Sequence, residues 1–298
     1  MGYLFLITAL LTGAAKGYCG KKTSTYVERF GDAVFANLLR MSFCILIGLC
    51  TVAVTDGFSA LAIPLAILPI PLFSGICTAL FVVSWLISVR SGAYMMMDVF
   101  CMVGMLIPML GGLILYREPI RPMQWVGCAL LLCATCIMCS YNNSIKKKLT
   151  PASVLLLIFC GITNGCTDFS QKMFVRQAAE IPIAVFNFYT YVAAALVLGI
   201  CLLLTGAKQQ KEQSAEKTDF KPILLYIAIM SVCLFCNSYF KTASAALLPA
   251  AILYPLYQGA ALILSTGMSA VLFHEKLTWK GIVGILLSFV SLMIVNFL

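Results

Sequence analysis

Long apolar runs alternate with short polar breaks along the whole chain. The runs at 43–54, 123–140, 152–166 and 281–298 contain no charged residue. A helix of about 20 such residues, at 1.5 Å rise per residue, crosses the roughly 30 Å hydrocarbon layer of a bilayer. The pattern predicts ten membrane-spanning helices, numbered 1 to 10, over residues 3–22, 33–55, 65–89, 93–116, 121–141, 152–175, 182–205, 222–245, 247–273 and 278–298.

Two distant segments share one pattern. The segment "ILYREPIRPMQWVG" at 114–127 aligns with "VLFHEKLTWKGIVG" at 271–284, so that Glu118 meets Glu275 at an offset of 157 residues. At an offset of 151, helices 1 and 2 align in the same way with helices 6 and 7. The chain is therefore expected to contain two repeats of five helices each.

We place these repeats at residues 1–145 and 146–298. An odd number of helices per repeat turns the second repeat upside down in the membrane relative to the first. The predicted fold class is thus an all-α membrane protein made of two inverted five-helix repeats, with a substrate site between the repeats near the midplane. A polar connection at 206–222, without apolar periodicity, is expected to be a surface loop.

Composition narrows the possible functions. Hydrophobic residues make up 62% of the chain and charged residues only 10%, whereas a soluble domain has about 25% charged residues. The net charge of +9 is spread over short loops, as in multi-pass membrane proteins, so nucleic acid is not an expected partner. No nucleotide-binding loop, nucleophile elbow or metal-ligand cluster occurs, so we expect neither an enzyme nor a cofactor.

The fourteen cysteines are expected to be packing residues. Most lie inside apolar runs, and Cys133, Cys136 and Cys139 follow one another at three-residue spacing on a single predicted helix. They have no histidine partner and no loop geometry that would complete a zinc site. A small apolar role within the helices is the simpler interpretation.

Four charged residues in the predicted helices are candidates for a substrate site. They are Lys16, Asp98, Asp168 and Lys241. A charge at the bilayer centre costs about 2.5–3.5 kcal/mol on insertion scales, so such residues usually face a wet cavity or an ion-pair partner. Asp98 either binds substrate or neutralises a buried cation. Lys241 either snorkels to the headgroups or meets an anionic group of the substrate.

Uncharged polar and aromatic residues add further candidates. Asn164 and Asn187 are amides in apolar helices, where they either line the site or bond across helices. Tyr254 and Tyr257 lie three residues apart and so share one helix face, which we expect to line the cavity. Lys172 and Arg176 are expected to snorkel to the headgroups.

The two glutamates of the repeated segment are expected to have a structural role. Glu118 and Glu275 each precede a predicted helix, where a carboxylate suits the positive end of the helix dipole. Each is therefore expected to cap the helix that follows it. The single histidine, His274, is not expected to bind a metal.

Ten helices in two halves, with glutamate and glycine after helices 4 and 9, resemble the ten-helix, EamA-like branch of the drug/metabolite transporter superfamily. Arg40 falls where that family often has an arginine in helix 2. Helices 9 and 10 are also similar to the last two helices of the small multidrug resistance proteins. That resemblance implies that Tyr254, Tyr257 and Gly259 line a drug site.

The resemblance to the multidrug proteins fails at one position. Those proteins hold a glutamate eight residues before a lysine of helix 1, where drug and proton compete. Counting back from Lys21 and Lys172 gives Gly13 and Asn164, so neither half has a carboxylate there. The coupling residue of a cation-for-proton antiporter is therefore missing.

The expected function is secondary transport of a small polar organic metabolite, an amino acid or a related zwitterion or anion, by alternating access. The alternatives are an exporter of hydrophobic cations, a lipid carrier, and a membrane scaffold or receptor that transports nothing. The expected setting is the lipid bilayer of the plasma membrane, with a coupling proton and a monomeric or homodimeric state.

The loop charges predict an orientation. Loops 1–2, 3–4, 5–6, 7–8 and 9–10 hold 13 Lys and Arg residues, against five on the opposite side. The excess marks the cytoplasmic side, which places both termini outside, whereas the resembling family is generally drawn with its termini inside.

Overall fold

The protein is all helical in the part described by a computed structural model, which comprises residues 1–27, 29–90, 100–139, 151–209, 223–272 and 279–297. A short 3₁₀ helix, Phe58–Leu61, follows the second α-helix. The α-helices of these ranges are α1 (Gly2–Ser24), α2 (Phe30–Thr55), α3 (Pro69–Arg90), α4 (Leu106–Tyr116), α5 (Pro122–Cys139), α6 (Pro151–Gln177), α7 (Ile183–Gln209), α8 (Leu224–Leu247), α9 (Ala250–Leu272) and α10 (Trp279–Phe297).

Each predicted helix has a counterpart among α1 to α10. Residues 100–104 are also helical and lead into α4, and the first part of the predicted fourth helix lies outside the described residues. The main boundary error concerns α7, which continues to Gln209, beyond the predicted end at 205. The helix thus extends into the segment that was expected to be a polar loop.

Within the described ranges, five helices are long and apolar enough to cross a membrane. These spans are Phe30–Thr55, Pro69–Val89, Val154–Gln177, Ile183–Leu204 and Leu224–Leu247. Shorter apolar helices cover Phe100–Tyr116, Pro122–Ala134 and Ile282–Val295. Large apolar side chains also point outward, among them Leu46, Leu155, Leu203 and Phe289. Such an exterior suits lipid rather than water, because a soluble monomer rarely exposes large contiguous apolar surface.

The helix contacts follow a regular scheme. Helix α1 packs on α8 and α9, and α6 packs in the same way on α3 and α4. Helix α2 packs on α8, as α7 does on α3, while α2 with α7 and α5 with α10 form further pairs. If α1 to α5 are exchanged in order with α6 to α10, the same set of helix contacts is obtained.

Glycines allow two of these contacts to be very close. A Cβ atom added to Gly104 would lie 2.2 Å from the carbonyl oxygen of Gly161, so the backbones touch where the segment before α4 crosses α6. A Cβ on Gly127 would lie 2.5 Å from Cγ2 of Val295, and Ser291 donates a hydrogen bond to the carbonyl of Gly127. Larger residues at Gly104 or Gly127 would separate the packed helices.

Candidate functional site

A polar cavity lies inside the helix bundle. It has about 130 Å³ of free space and is lined by α1, α3, α6, α7, α8 and α9, with Cys101 reaching it from the segment before α4. The polar side chains on its wall include Lys16, Thr78, Asn164, Asp168, Gln171 and Lys241. Polar groups of this number inside apolar helices are costly to bury without partners, so the cavity is a candidate binding site.

A buried ion pair closes the cavity at one side. Nζ of Lys241 contacts Oδ1 of Asp168, and both side chains are buried. Lys241 also lies over the ring of Tyr257, with Nζ 4.7 Å from the ring centroid. The hydroxyl of Tyr254 donates a 2.7 Å hydrogen bond to the backbone oxygen of Asp168, which fixes this turn of α6. Oδ2 of Asp168 has no hydrogen-bond partner within the described ranges.

A second polar contact joins α8, α9 and α1. Nδ2 of Asn237 donates to the hydroxyl of Tyr257 at 2.7 Å and to the backbone oxygen of Ala9 at 2.6 Å. Gly13 lies directly beside this contact, because an added Cβ would be 3.0 Å from both Nδ2 of Asn237 and the hydroxyl oxygen of Tyr257. The position that holds a glutamate in the multidrug proteins is thus filled here by the side chains of α8 and α9.

An ion cluster lies on α6 beyond Asp168, near the end of that helix. Oε1 of Glu118 lies 2.8 Å from Nζ of Lys172 and also contacts Arg176. Oε2 of the same carboxylate accepts the backbone N–H of Ala250 at 2.8 Å, at the start of α9. Nζ of Lys172 further donates to the backbone oxygen of Leu248 at 3.1 Å. This Glu118 cluster ties the ends of α4, α6 and α8 to the start of α9.

The cavity lies away from the Glu118 cluster. Along α9 the lining runs from Tyr257 to Met268, toward the end of the helix, whereas the start of α9 at Ala250 is bound by Glu118. On α6, Asp168 and Lys172 lie on successive turns of one helix face, so one ion pair lies directly above the other along the helix. One end of the bundle is therefore sealed by two layers of buried charge.

The Glu118 cluster also changes the pKa of the Glu118 carboxyl group, which lies between α4 and α5. Burial by itself would raise the pKa of the Glu118 carboxyl, but hydrogen bonds from Lys172, from the backbone of Ala250 and from Arg176 outweigh it. The pKa of Glu118 is therefore lowered from its ordinary value of 4.5. The carboxylate remains ionised at neutral pH, which keeps the cluster intact.

Two cations near the cavity have no carboxylate partner among the described residues. Lys16 lines the cavity from α1, and Asp168, the carboxylate that attracts it among the described residues, is already paired with Lys241. Arg40 on α2 is 2% exposed, and Nη1 lies 3.5 Å from the sulfur of Met230. Its Nε has no hydrogen-bond partner in the same ranges. The positive charges of both side chains are thus poorly balanced by carboxylates of the described residues.

The predicted site residues divide into two groups. The structure brings Lys16, Asn164, Asp168, Lys241 and Tyr257 together on the cavity wall. In contrast to Tyr257, Tyr254 does not line the cavity: its side chain is fully buried in the apolar core, where its hydroxyl anchors α6. The prediction for Tyr254 is wrong because two residues on the same helix face can lie at different depths in the helix bundle.

Asn187 also lies behind the cavity rather than on its wall. Its Oδ1 accepts a 2.9 Å hydrogen bond from the hydroxyl of Ser238, which itself lines the cavity from α8. Asn187 therefore bonds across helices, the structural alternative for a membrane amide. Asp98, Glu275 and His274, with the expectations placed on them, lie outside the described residues.

Three expectations about charged residues need correction. Lys172 does not snorkel, since it is 1% exposed and paired with Glu118, whereas Arg176 is paired with Glu118 but has an exposed side chain. Glu118 does not cap α5, the helix that follows it, but α9. Lys241 is neither snorkelling nor free, because Asp168 neutralises it. Sequence cannot show such pairs, since their members lie far apart in the chain.

Sequence reasoning missed several polar residues on the cavity wall. Ser74, Thr190 and Gln171 line it, and each has a buried side-chain atom without a partner among the described residues. A usable signal existed only for Gln171. With Asn164 and Asp168 it forms an i, i+4, i+7 set, which places three polar residues on one face of an apolar helix.

The comparisons with known proteins agree with this architecture. Residues 151–297 match the EamA-like transporter family. No curated protein matches the chain in sequence. A solved structure, titled only "Crystal structure of protein", is 15% identical with a TM-score of 0.74, and the match covers 99% of this chain and 96% of that one. At this identity the likeness shows the fold alone.

The class is thereby defined as an integral, multi-pass membrane protein of helical fold. More particularly, residues 151–297 match the EamA-like transporter family, and this match confirms the resemblance to the drug/metabolite transporter superfamily. The family comprises membrane transporters rather than enzymes, and transport is thus the class of activity to explain.

Proposed function

We propose that the protein is a secondary transporter that moves a small polar organic metabolite, an amino acid or a related zwitterion or anion, across the plasma membrane. The observation that carries this proposal is the polar cavity between α1, α3, α6, α7, α8 and α9. Its wall presents a cation, Lys16, and a carboxylate oxygen, Oδ2 of Asp168, that has no hydrogen-bond partner among the described residues. A ligand with both anionic and donor groups would satisfy both.

The proposal includes ten membrane spans in two inverted repeats, 1–145 and 146–298. The exchange of helix contacts between α1–α5 and α6–α10 supports this division, because related repeats make equivalent contacts. The cavity is lined by helices of both halves, which suits a site at their interface. Alternating access would then open the sealed end by separating Glu118 from Lys172 and Arg176.

The proposal for orientation keeps both termini outside. Two of the five cations counted on the outer side, Lys172 and Lys241, are buried in ion pairs and do not belong to a loop. Removing them increases the charge difference between the two sides. Labelling of single cysteines from outside, on a cysteine-free background, should reach the C-terminus and miss loop 5–6. The opposite pattern would reverse the orientation.

The hydrophobic-cation alternative has less support. Gly13 stands where the multidrug proteins have a carboxylate, and Asn237 and Tyr257 fill the space beside it. The carboxylate that does reach the cavity, Asp168, is already neutralised by Lys241. A lipophilic cation would thus enter a site that carries unpaired positive charge, which is electrostatically unfavourable.

A thermal-shift screen on the purified protein tests the proposed function. The panel contains amino acids, small carboxylates and a quaternary ammonium dye, all at matched ionic strength. We expect stabilisation by zwitterionic or anionic metabolites and none by the dye, because bound ligand stabilises the folded state. Stabilisation by the dye alone would replace the proposal with the multidrug alternative.

A further inference from the structure

Among the described residues, the region of the cavity contains more positive charge than negative charge. Lys241 is neutralised by Asp168. Lys16 and Arg40 have no ion pair within the described part of the chain, where the remaining carboxylate cluster is that of Glu118. Lys16 is repelled by Lys241 and Arg40 and attracted by Asp168, whose carboxylate is already paired with Lys241. Of the charged groups that the structure describes at the site, cations are therefore in excess.

Within the described residues, the surrounding helices supply no further carboxylate that could remove this excess. Helices α1, α3, α7, α8 and α9 contain no Asp or Glu at all. In α2 the one carboxylate, Asp32, precedes Arg40 by eight residues, which is about 12 Å along a helix axis. Asp98 lies outside the described residues and enters the experiment below as a variant.

Arg40 is the more unusual of the two cations. Its guanidinium is buried against the thioether of Met230, a weak hydrogen-bond acceptor. A charged group that loses water and gains neither an acid nor strong acceptors is destabilised. Because Arg40 sits beyond the wall of the cavity, its contribution is a positive potential at the wall rather than a direct contact.

The unpaired polar atoms of the wall define the rest of the ligand. Ser74 Oγ, Asn164 Nδ2 and Thr190 Oγ1 are buried, line the cavity and have no partner within the described ranges, so they are free to donate to an anionic oxygen. Oδ2 of Asp168 and Oε1 of Gln171 are unpaired acceptors on the same wall. A hydroxyl or ammonium donor on the ligand would satisfy them.

We infer that the cavity selects compact organic anions of net negative charge that also carry a hydroxyl or ammonium group, with Lys16 binding the anionic group and Arg40 adding positive potential. This inference rests on the proposed transport function and narrows its substrate class. Asp168 and Gln171 bind the donor group of the ligand. Neutral zwitterions of the same shape are bound weakly, since they leave the cation excess uncompensated.

Matched ligand pairs test the charge requirement directly. L-glutamate and L-glutamine have nearly the same shape and differ by one negative charge, and glycerol 3-phosphate and glycerol differ by a phosphate. Binding to the purified full chain is measured by calorimetry at low salt. We expect the anion of at least one pair to bind about tenfold or more tightly than its neutral partner, the range of a charge-assisted hydrogen bond. Equal or tighter binding of both neutral partners overturns the inference.

The Lys16→Gln variant separates ligand binding from folding. It should lose about tenfold or more in affinity for the preferred anion, while binding of the neutral partner stays unchanged. The melting temperature of the ligand-free protein should not fall, because the substitution removes a charge that is not paired with a carboxylate of its own among the described residues. Lys22→Gln, at an exposed lysine near the end of α1, is the matched control and should change neither quantity.

Two results with variants would overturn the inference. One is a lower melting temperature of Lys16→Gln without any change in the preference for anions, which would make Lys16 structural. The other is restoration of the Lys16→Gln defect by adding Asp98→Asn, which would make the two residues an internal ion pair. Binding of zwitterions alone refutes only the anion selectivity. Failure of the whole panel to bind refutes both the selectivity and the transport function.

Discussion

Glu118 accepts a hydrogen bond from the backbone N–H of Ala250 at 2.8 Å, across 132 residues of sequence. The Glu118 carboxylate, which lies just after α4, therefore caps α9 and not α5, the helix that follows it in the chain. The same carboxylate pairs with Lys172 and Arg176. One side chain thus joins both parts of the chain at the sealed end of the cavity.

Glu118→Gln should destabilise the protein at neutral pH by roughly 1.5–3 kcal/mol, since it removes the charge from hydrogen bonds made by cations. The folded protein lowers the pKa of Glu118 below 4.5. The stabilisation is therefore present above about pH 4.5 and is lost as the pH falls through the lower value of the folded state. Melting temperatures between pH 3 and pH 8 should show a steeper acid loss for the wild type than for the variant.

The control for this series is Glu180→Gln, which changes an exposed glutamate near the end of α6. It should have the melting temperature of the wild type over the whole pH range. An equal loss of melting temperature in both variants would mean that the Glu118 cluster contributes no more to stability than an exposed glutamate does.

The buried pair of Asp168 and Lys241 should show strong coupling in a double-mutant cycle. Asp168→Asn or Lys241→Met alone leaves one buried charge without its partner and should cost about 3–5 kcal/mol. The double variant should recover most of this stability, because no unpaired charge remains. Additive losses, measured as melting temperatures of all four proteins, would show that the two side chains do not interact.

Gly13→Ala should disturb the contact between Asn237 and Tyr257. The added methyl group would sit 3.0 Å from an atom of each side chain, so one of them has to shift. We expect a stability cost of roughly 1–3 kcal/mol and weaker ligand binding, since Tyr257 lines the cavity. Gly199→Ala in α7 is the control, because nothing lies within 4 Å of its added Cβ, and its stability should be equal or higher. Weaker binding in the control alone would contradict the assignment.

Asp98→Asn should leave the protein folded but abolish transport or remove its pH dependence. The expectation comes from the depth of Asp98 in an apolar run, where a charge is costly unless it has a function or a partner. The measurement is transport together with the melting temperature. A variant that is destabilised by about 3–5 kcal/mol yet transports at the wild-type rate would identify Asp98 as the partner of a buried cation.

Sequence was sufficient for the helices and for part of the site. Apolar run length located α1 to α10, because a span has a length that the bilayer dictates. The cost of intramembrane charge pointed to Lys16, Asp168 and Lys241 before their surroundings were known. Composition could not distinguish a free cation from a paired one, and so the partnership of Lys241 with Asp168 came only from the structure.

The remaining errors concern depth and partners. Tyr254 and Tyr257 share a helix face, but one anchors α6 from the core and the other faces the cavity. The depth of each residue along α9 decides between these roles, and helical periodicity does not predict depth. Likewise, Glu118 has a sequence neighbour that it could cap, and only tertiary packing directs it to Ala250 instead.

The central claim is that the cavity carries a small polar metabolite across a membrane by alternating access. Its most direct test is exchange in proteoliposomes loaded with an unlabelled metabolite that stabilises the protein, with labelled metabolite added outside. The account predicts uptake far above that of empty liposomes, and a large loss in the Lys16→Gln variant, whose melting temperature should not fall. Uptake no greater than that of empty liposomes, for every metabolite that binds the folded protein, would contradict the account.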